Sequence, residues 1–183
     1  MDFQQGQSYA VTGPNGSGKS TLLKVLSGII PPGSGSLEYR EDNQIVEVDH
    51  YYRHLTFISP YLELIGEFTL KEFLKFHFKL KEFASGFDME GLLSYAYLEE
   101  SIDKEIRNFS SGMKQRLKLG LAFCGNSPIV FLDEPTTNLD EKGVEWYKEG
   151  VKKNLSNRLL FIASNQLKEY ESCNTVIDIM NYK

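Results

Sequence analysis

The sequence is poor in the residues that mark several protein classes. Its 183 residues include two cysteines, six prolines and one tryptophan. Cys124 and Cys173 lie far apart and outside any C-x-x-C motif, so we interpret them as reduced, buried thiols of a cytosolic protein rather than a disulfide framework. The three histidines, His50, His54 and His77, have no metal-ligand spacing and are interpreted as surface or core residues.

Long apolar runs and an excess of positive charge are also lacking. The longest aliphatic and aromatic runs, such as residues 129–132, are far shorter than the ~18–20 residues of a membrane-spanning helix. The first five residues show no secretory signal. The chain has 20 Lys and Arg and 25 Asp and Glu, which gives a net charge of −5. Because nucleic-acid-binding domains usually carry a basic face, this balance weighs against nucleic acid as a partner. The length indicates one domain, or one domain with an inserted lobe.

Short apolar runs and longer periodic segments alternate along the chain. The runs predict strands at 9–12, 55–58, 129–132, 159–163 and 175–180, with a hairpin of 36–39 and 45–48. The periodic segments predict helices at 20–28, 112–122 and 142–155. This alternation is typical of an α/β domain with a mostly parallel sheet.

The segment from about 61 to 108 has a different composition, rich in Phe, Leu, Lys and Glu, and indicates a helical lobe inserted in the core. Its clustered phenylalanines are interpreted as the core of the lobe, with an exposed docking patch as the alternative. They are Phe73, Phe76, Phe78, Phe83 and Phe87.

Residues 13–20 (G-P-N-G-S-G-K-S) fit the phosphate-loop pattern G-x-x-x-x-G-K-[ST], with a predicted strand before and a helix after. Glycines let backbone amides wrap around phosphates, and the helix N-terminus adds the positive end of its dipole. We expect Lys19 to reach the β- and γ-phosphates and the Ser20 hydroxyl to bind Mg²⁺. The predicted nucleotide-binding residues are Gly13, Pro14, Asn15, Gly16, Ser17, Gly18, Lys19 and Ser20, to which the family resemblance described below adds Thr21.

The apolar run 129–132 ends in two carboxylates, Asp133 and Glu134. Ligands of α/β sheets bind at the carboxyl ends of the strands, so both residues should lie beside the phosphate loop. We expect Asp133 to hold Mg²⁺ through water, and Glu134 to act as the general base that polarises an attacking water.

These motifs together resemble the ATP-binding cassette (ABC) ATPases over nearly the whole chain. Residues 109–116 (F-S-S-G-M-K-Q-R) are similar to the signature segment of that family, and residues 137–140 (T-N-L-D) to its D-loop. The resemblance implies a single domain of residues 1–183 with a P-loop NTPase (RecA-like) fold. Its α/β core would comprise 1–60 and 115–183, and its helical lobe 61–114 would contain the signature.

The resemblance also implies an activity and its partners. The activity is Mg²⁺-dependent hydrolysis of ATP to ADP and phosphate, with ATP and Mg²⁺ as cofactors. Two chains, identical or different, would pair head to tail so that Ser110 and Gly112 of one cover the ATP of the other. The dimer would drive transport from the cytoplasmic face of the cell membrane, docked on an integral membrane permease subunit, with no nucleic acid partner. The alternative is a soluble or regulatory ABC-type ATPase with weak hydrolysis.

The sequence departs from the family pattern at several positions. Ser111 and Met113 replace a glycine and a glutamine of the signature, and residues 59–61 (S-P-Y) stand where a glutamine is expected. Asn165 replaces the switch histidine; an amide can hydrogen-bond the γ-phosphate but cannot be protonated, so we expect slow hydrolysis. The N-terminal edge strands and the adenine-stacking aromatic of the family are expected to be missing, which leaves an exposed sheet edge.

Overall fold

A parallel sheet forms the centre of the computed structural model, which describes residues 1–182. Its strands are β1 (Ser8–Thr12), β4 (Leu55–Ile58), β5 (Ile129–Asp133), β6 (Leu159–Ala163) and β7 (Thr175–Asp178). They lie in the order β4-β5-β6-β1-β7, and every neighbouring pair is parallel. The predicted α/β class with a mostly parallel sheet is therefore confirmed.

Helices cover both faces of this sheet. They are α1 (Lys19–Leu26), α2 (Tyr51–His54), α3 (Leu70–Leu80), α4 (Met89–Ala96), α5 (Ser111–Cys124), α6 (Glu141–Asn154) and α7 (Leu167–Tyr170). The three predicted helices correspond to α1, α5 and α6 with ends shifted by one or two residues. The single turns α2 and α7 were not predicted, because one turn is too short to show a helical period.

The predicted hairpin exists but is shorter than expected. Strands β2 (Tyr39–Glu41) and β3 (Gln44–Val46) form an antiparallel pair outside the central sheet. Asp42 and Asn43 between them both adopt the left-handed conformation, with φ of 49° and 65°. Such a two-residue turn matches the twist of paired strands and sets their register, so pairing begins directly at the turn.

The final predicted strand, 175–180, is also too long. β7 ends at Asp178, and Ile179–Tyr182 form a 3₁₀-helical turn, because the Met180 N–H donates to Asp178 Oδ1 at 2.9 Å and turns the chain away from the sheet.

Alternate residues of the central strands enter two apolar cores. Val130 and Leu132 of β5 belong to the core beneath α5, α6 and the lobe. Phe131 faces the opposite side, with Leu23 of α1 and Tyr51 of α2. Because successive side chains of a strand point to opposite faces, one apolar strand supplies both cores.

A helical lobe stands between β4 and α5, as predicted, but it is not helical throughout. α3 starts at a capping box in which Thr69 accepts from the Glu72 N–H and Glu72 accepts from the Thr69 N–H at 2.8 Å. Irregular segments precede α3 and separate it from α4. The boundaries 61–114 remain a prediction.

Most of the clustered phenylalanines form the core of this lobe. Phe73 is buried, and Phe78, Phe83 and Phe87 pack against the same core, whereas Phe76 is 44% exposed. Four of the five phenylalanines thus belong to the core of the lobe, whereas the docking patch stays a prediction.

Cys124 is buried as predicted and Cys173 half-buried, and both are free thiols. Within residues 1–182 no helix is long and apolar enough to cross a bilayer.

Candidate nucleotide-binding site

The loop between β1 and α1 bends at three glycines with left-handed backbones, since φ is 142° at Gly13, 75° at Gly16 and 99° at Gly18. A Cβ at Gly13 would lie 2.8 Å from Ile179 Cγ2 and 2.9 Å from Ser17 Oγ. Side chains there would be both strained and crowded, so glycine is what allows the loop to close into a concave cradle.

Lys19 lies over this cradle. Its side chain is 6% exposed, and Nζ donates to the carbonyl oxygens of Gly13 at 2.8 Å and Pro14 at 3.2 Å. In the described part of the chain no carboxylate pairs with Lys19, and the buried hydroxyl of Ser17 has no hydrogen-bond partner. An uncompensated positive charge and an unused hydroxyl inside a loop of amides suit a phosphate group.

Ser20 and Asp133 meet as predicted at the edge of the cradle. Ser20 Oγ donates to Asp133 Oδ1 at 2.9 Å, which links the first turn of α1 to the end of β5. Asp133 is 2% exposed, and this burial raises the pKa of its carboxyl against the opposing effect of the Ser20 hydrogen bond. A buried carboxylate beside a hydroxyl is a hard oxygen pair that fits Mg²⁺.

The pair would need further oxygen ligands, since residues 1–182 contain no group of three or more His, Cys, Asp or Glu side chains arranged to hold a metal. Mg²⁺ in nucleotide sites commonly takes those oxygens from the phosphates and from water.

Glu134 is held through its backbone. Its N–H donates to Ala163 O on β6 at 2.9 Å, and its carbonyl accepts from the Thr137 N–H at 3.2 Å. Its φ is 45°, a left-handed conformation that is uncommon for a residue with a side chain. The turn therefore fixes the backbone of Glu134, immediately after Asp133, and with it the point from which the half-buried side chain extends.

Asn165 lies beside the phosphate loop, at the end of β6. Its Nδ2 donates to Asn15 Oδ1 at 2.8 Å. The sequence indicated the position of Asn165 but not this contact, because the partner is 150 positions away in the chain.

The signature segment stands apart from the phosphate loop of its own chain. Ser110 caps α5, accepting from the Met113 N–H at 3.2 Å, and a Cβ at Gly112 would lie 3.2 Å from Asn138 O. Within residues 1–182 no hydrogen bond joins Ser110 or Gly112 to residues 13–21. The structure brings this segment to the D-loop-like turn instead, and its expected role toward a second chain stays a prediction.

The remaining predicted loop residues lie at the mouth of the cradle. Pro14, Asn15, Gly16 and Thr21 are exposed.

Two buried polar residues of α5 were missed by sequence reasoning. Gln115 Nε2 donates to Pro135 O at 2.6 Å. Lys118 Nζ donates to the carbonyl oxygens of Ser59 at 3.0 Å and Pro60 at 3.1 Å, and burial lowers its pKa, followed in effect by Lys114. A lysine between the apolar Leu117 and Leu119 was the signal that could have revealed the second contact.

The comparisons with known proteins agree with these features. A family model described as ABC transporter matches residues 1–137. An uncharacterised ABC transporter ATP-binding protein of Bacillus subtilis (strain 168) is 35% identical, covering 78% of this chain and 65% of that protein. The Nod factor export ATP-binding protein I of Burkholderia thailandensis is 35% identical, covering 75% and 46%. The mouse ATP-binding cassette sub-family A member 7 is 32% identical, covering 93% of this chain and 8% of that protein.

Solved structures show the same fold. An ATP-binding subunit of an ABC transporter matches with a TM-score of 0.82 and 23% identity, over 98% of this chain and 78% of that one. A dimeric bacterial ABC transporter cassette matches with a TM-score of 0.80 and 22% identity, over 98% and 84%. The chain spans less than two thirds of the length of each curated relative named above. With a family model matched over most of its length, the chain belongs to the ABC transporter family.

Proposed function

We propose that this chain binds and hydrolyses MgATP as the nucleotide-binding subunit of an ABC transporter. The observation that carries the proposal is that the Lys19 cradle lies beside Ser20 and Asp133. The Ser20 hydroxyl donates to the Asp133 carboxylate at 2.9 Å. Glu134 and Asn165 end neighbouring strands at the same edge of the sheet.

Binding follows from charge and geometry. The amides of residues 13–21 and the Lys19 ammonium surround the phosphates, and the N-terminus of α1 faces them with the positive end of its dipole. Ser20 and Asp133 would hold Mg²⁺, which neutralises phosphate charge when bound. The burial of the Asp133 carboxylate supports this role, because a nearby cation offsets the cost of a buried charge.

Hydrolysis would use Glu134 and Asn165. Glu134 follows Asp133 directly and would take a proton from the attacking water. The Asn165 amide would donate a hydrogen bond to the γ-phosphate. An amide cannot carry the proton of an imidazolium. We therefore propose that this chain hydrolyses ATP more slowly than family members with the switch histidine.

The signature supports a head-to-tail dimer. Within residues 1–182 the capped start of α5 at Ser110 and Gly112 forms no hydrogen bond with the phosphate loop, and a second chain would use it to cover ATP. Dimeric cassettes among the structures of the same fold support this arrangement. The relatives named as ATP-binding proteins of an ABC transporter and of an export system support a place in a transporter. We propose that the chain docks there on a membrane permease at the cytoplasmic face of the membrane.

A regulatory ATPase with weak hydrolysis and no membrane subunit is the second candidate. Two departures from the family pattern motivate it. They are Asn165 and the S-P-Y sequence at 59–61, where the carbonyls of Ser59 and Pro60 accept from Lys118 and no glutamine is present. The comparisons favour the transporter subunit. Co-purification of a tagged chain from its native cells separates the two candidates. A polytopic membrane protein in the purified complex supports the transporter subunit, and its consistent absence supports the regulatory protein.

The proposed chemistry is tested by Glu134→Gln. Removing the general base while preserving size should lower kcat about 10²-fold or more. MgATP should still bind, and the variant should accumulate as an ATP-bound dimer in gel filtration with light scattering. Lys19→Ala is the control, and should lose nucleotide binding itself. Normal turnover in Glu134→Gln would exclude Glu134 as the base, and a wild-type chain that ignores millimolar MgATP would overturn the proposed function.

A further inference from the structure

Glu169 is a buried acid to which neither the motifs nor the proposed function assigns a role. It lies in α7, four positions after Asn165, and is 2% exposed. Its Oε1 accepts hydrogen bonds from the Thr136 N–H at 2.9 Å and from the Thr136 hydroxyl. Thr136 is itself 5% exposed, so both bonds are shielded from water.

Thr136 belongs to the turn that carries Glu134. The Thr137 N–H closes this turn on Glu134 O at 3.2 Å, and the Leu139 N–H donates to Thr136 O at 3.0 Å. The left-handed φ of 45° at Glu134 costs free energy, so the surroundings must hold the turn in place. Glu169 is the side chain that binds Thr136, two positions after Glu134, and so helps to hold this turn.

The other end of Glu169 is tied to the loop of Asn165. The Glu169 N–H donates to Gln166 O at 2.9 Å, and the Gln166 N–H donates to Ser164 Oγ at 2.8 Å. In addition, the buried Tyr147 hydroxyl donates to Glu169 O at 2.8 Å, which anchors α7 to α6. A continuous set of hydrogen bonds therefore connects the residue before Asn165 with the turn of Glu134.

The carboxylate of Glu169 has no charged partner in the part of the chain that the structure describes. Among the residues that the structure describes, no Lys, Arg or His forms an ion pair with Glu169, and its buried Oε2 has no hydrogen-bond partner. A buried acceptor that loses its donors is costly, so Oε1 and the two Thr136 donors hold each other in place.

We propose that Glu169 is a positioning residue for ATP hydrolysis. Its carboxylate sets the turn that presents Glu134 to the attacking water, and its main chain couples that turn to the loop of Asn165. Glu169 touches no reacting atom. This inference rests on the proposed ATPase activity.

The test compares kcat, KM for MgATP and the dissociation constant of the nucleotide in Glu169→Ala and Glu169→Gln. Because small displacements of a catalytic group can lower a rate up to about 10²-fold, Glu169→Ala should lower kcat about tenfold or more. The dissociation constant should stay within about twofold, since residues 13–21 are not touched. Glu169→Gln keeps an accepting oxygen and should recover most of kcat.

Thr136→Val provides a second route that does not depend on Glu169→Ala folding well. It removes the hydroxyl donor but keeps the shape, and Thr136→Ser keeps the donor. The matched control is Thr56→Val. Thr56 is also buried, 7% exposed, and its hydroxyl is 2.8 Å from Ser127 Oγ, in a hydrogen bond between β4 and the segment before β5, toward the end of these strands opposite Glu134. All variants are assayed well below their melting temperatures.

The expected pattern is a lower kcat in Thr136→Val and Glu169→Ala, with kcat near the wild-type value in Thr136→Ser and Thr56→Val. Equal losses in Thr136→Val and Thr56→Val would mean that any buried hydrogen bond has the same effect, which overturns the inference. An unchanged kcat in Glu169→Ala overturns it too while leaving the proposed function intact. A wild-type chain without ATPase activity overturns both.

Discussion

At the scale of single residues, the site is built from side chains whose partners are backbone atoms or each other. Lys19 is held by the carbonyls of its own loop, and Ser20 by Asp133. Asn165 is bound to Asn15 at 2.8 Å, which places the amide at the cradle. Under the proposed function, the side chain at position 165 would decide which donor faces the γ-phosphate.

Asn165→His should raise kcat several-fold. An imidazolium gives a charge-assisted hydrogen bond, which is roughly twice as strong as a neutral one, to the charge that develops on the phosphate. The gain should be larger at about pH 6 than at about pH 8, because imidazole is protonated only in the lower range. Steady-state ATPase assays across pH check this. A variant with unchanged or reduced turnover at every pH would show that position 165 is not the switch.

At the scale of elements, α3 and α5 determine how the lobe is attached. α3 has a capping box at its start, and Lys118 of α5 binds the carbonyls that follow β4. Near the end of α3, His77 packs against Phe73 and Phe78, with ring centroids 6.0 Å and 4.9 Å away. Burial, and secondly the ammonium of Lys81, lower the pKa of His77 to about 4.

This pKa predicts that acid destabilises the lobe. As pH falls below about 6.5, the unfolded chain takes up a proton at His77 before the folded chain does, so the stability present above pH 6.5 is lost toward pH 4. The loss between pH 7 and pH 5 should be about 2 kcal/mol. Urea unfolding at both pH values measures it in the wild type and in His77→Gln.

The glutamine variant should lose less stability than the wild type over the same pH interval. Replacement of the exposed His50 by glutamine is the matched control and should leave the loss unchanged. An identical loss in His77→Gln and wild type would contradict the assignment to His77.

At the scale of the whole molecule, the parallel sheet brings distant segments to one edge. β1, β5 and β6 all end there, so the phosphate loop, the two carboxylates and Asn165 meet although they are far apart in the chain. In the part of the chain that the structure describes, the start of α5 forms no hydrogen bond with the phosphate loop at this edge. The proposed second chain would bring its own α5 to the nucleotide.

Gly112→Asp should prevent this assembly without removing nucleotide binding. A carboxylate at the start of α5 would face the γ-phosphate of the other chain, and like charges repel. In the Glu134→Gln background, MgATP should then leave the protein monomeric in light scattering, while the nucleotide affinity of the monomer stays within about twofold. A stable ATP-bound dimer of the double variant would place Gly112 outside the interface.

Sequence reasoning was most successful where chemistry dictates local spacing. The phosphate loop needs glycines, Lys19 and Ser20 in one short segment, so the pattern by itself predicted the cradle and its place between β1 and α1. The ends of β3 and β7 were predicted less well, because the turn at Asp42 and Asn43 and the hydrogen bond from Met180 to Asp178 decide them. These local interactions override the apolar periodicity, so the periodicity does not indicate where the strands end.

The sequence by itself determined the fold class, the family and the glycine-lined cradle between β1 and α1, since each follows from periodicity or from residues adjacent in the chain. Tertiary structure alone decided the partners of Asn165, Lys118 and Glu169, which lie 150, 59 and 33 positions away along the chain. The cause is burial: a polar side chain removed from water must find a hydrogen-bond partner, and packing decides which one is near.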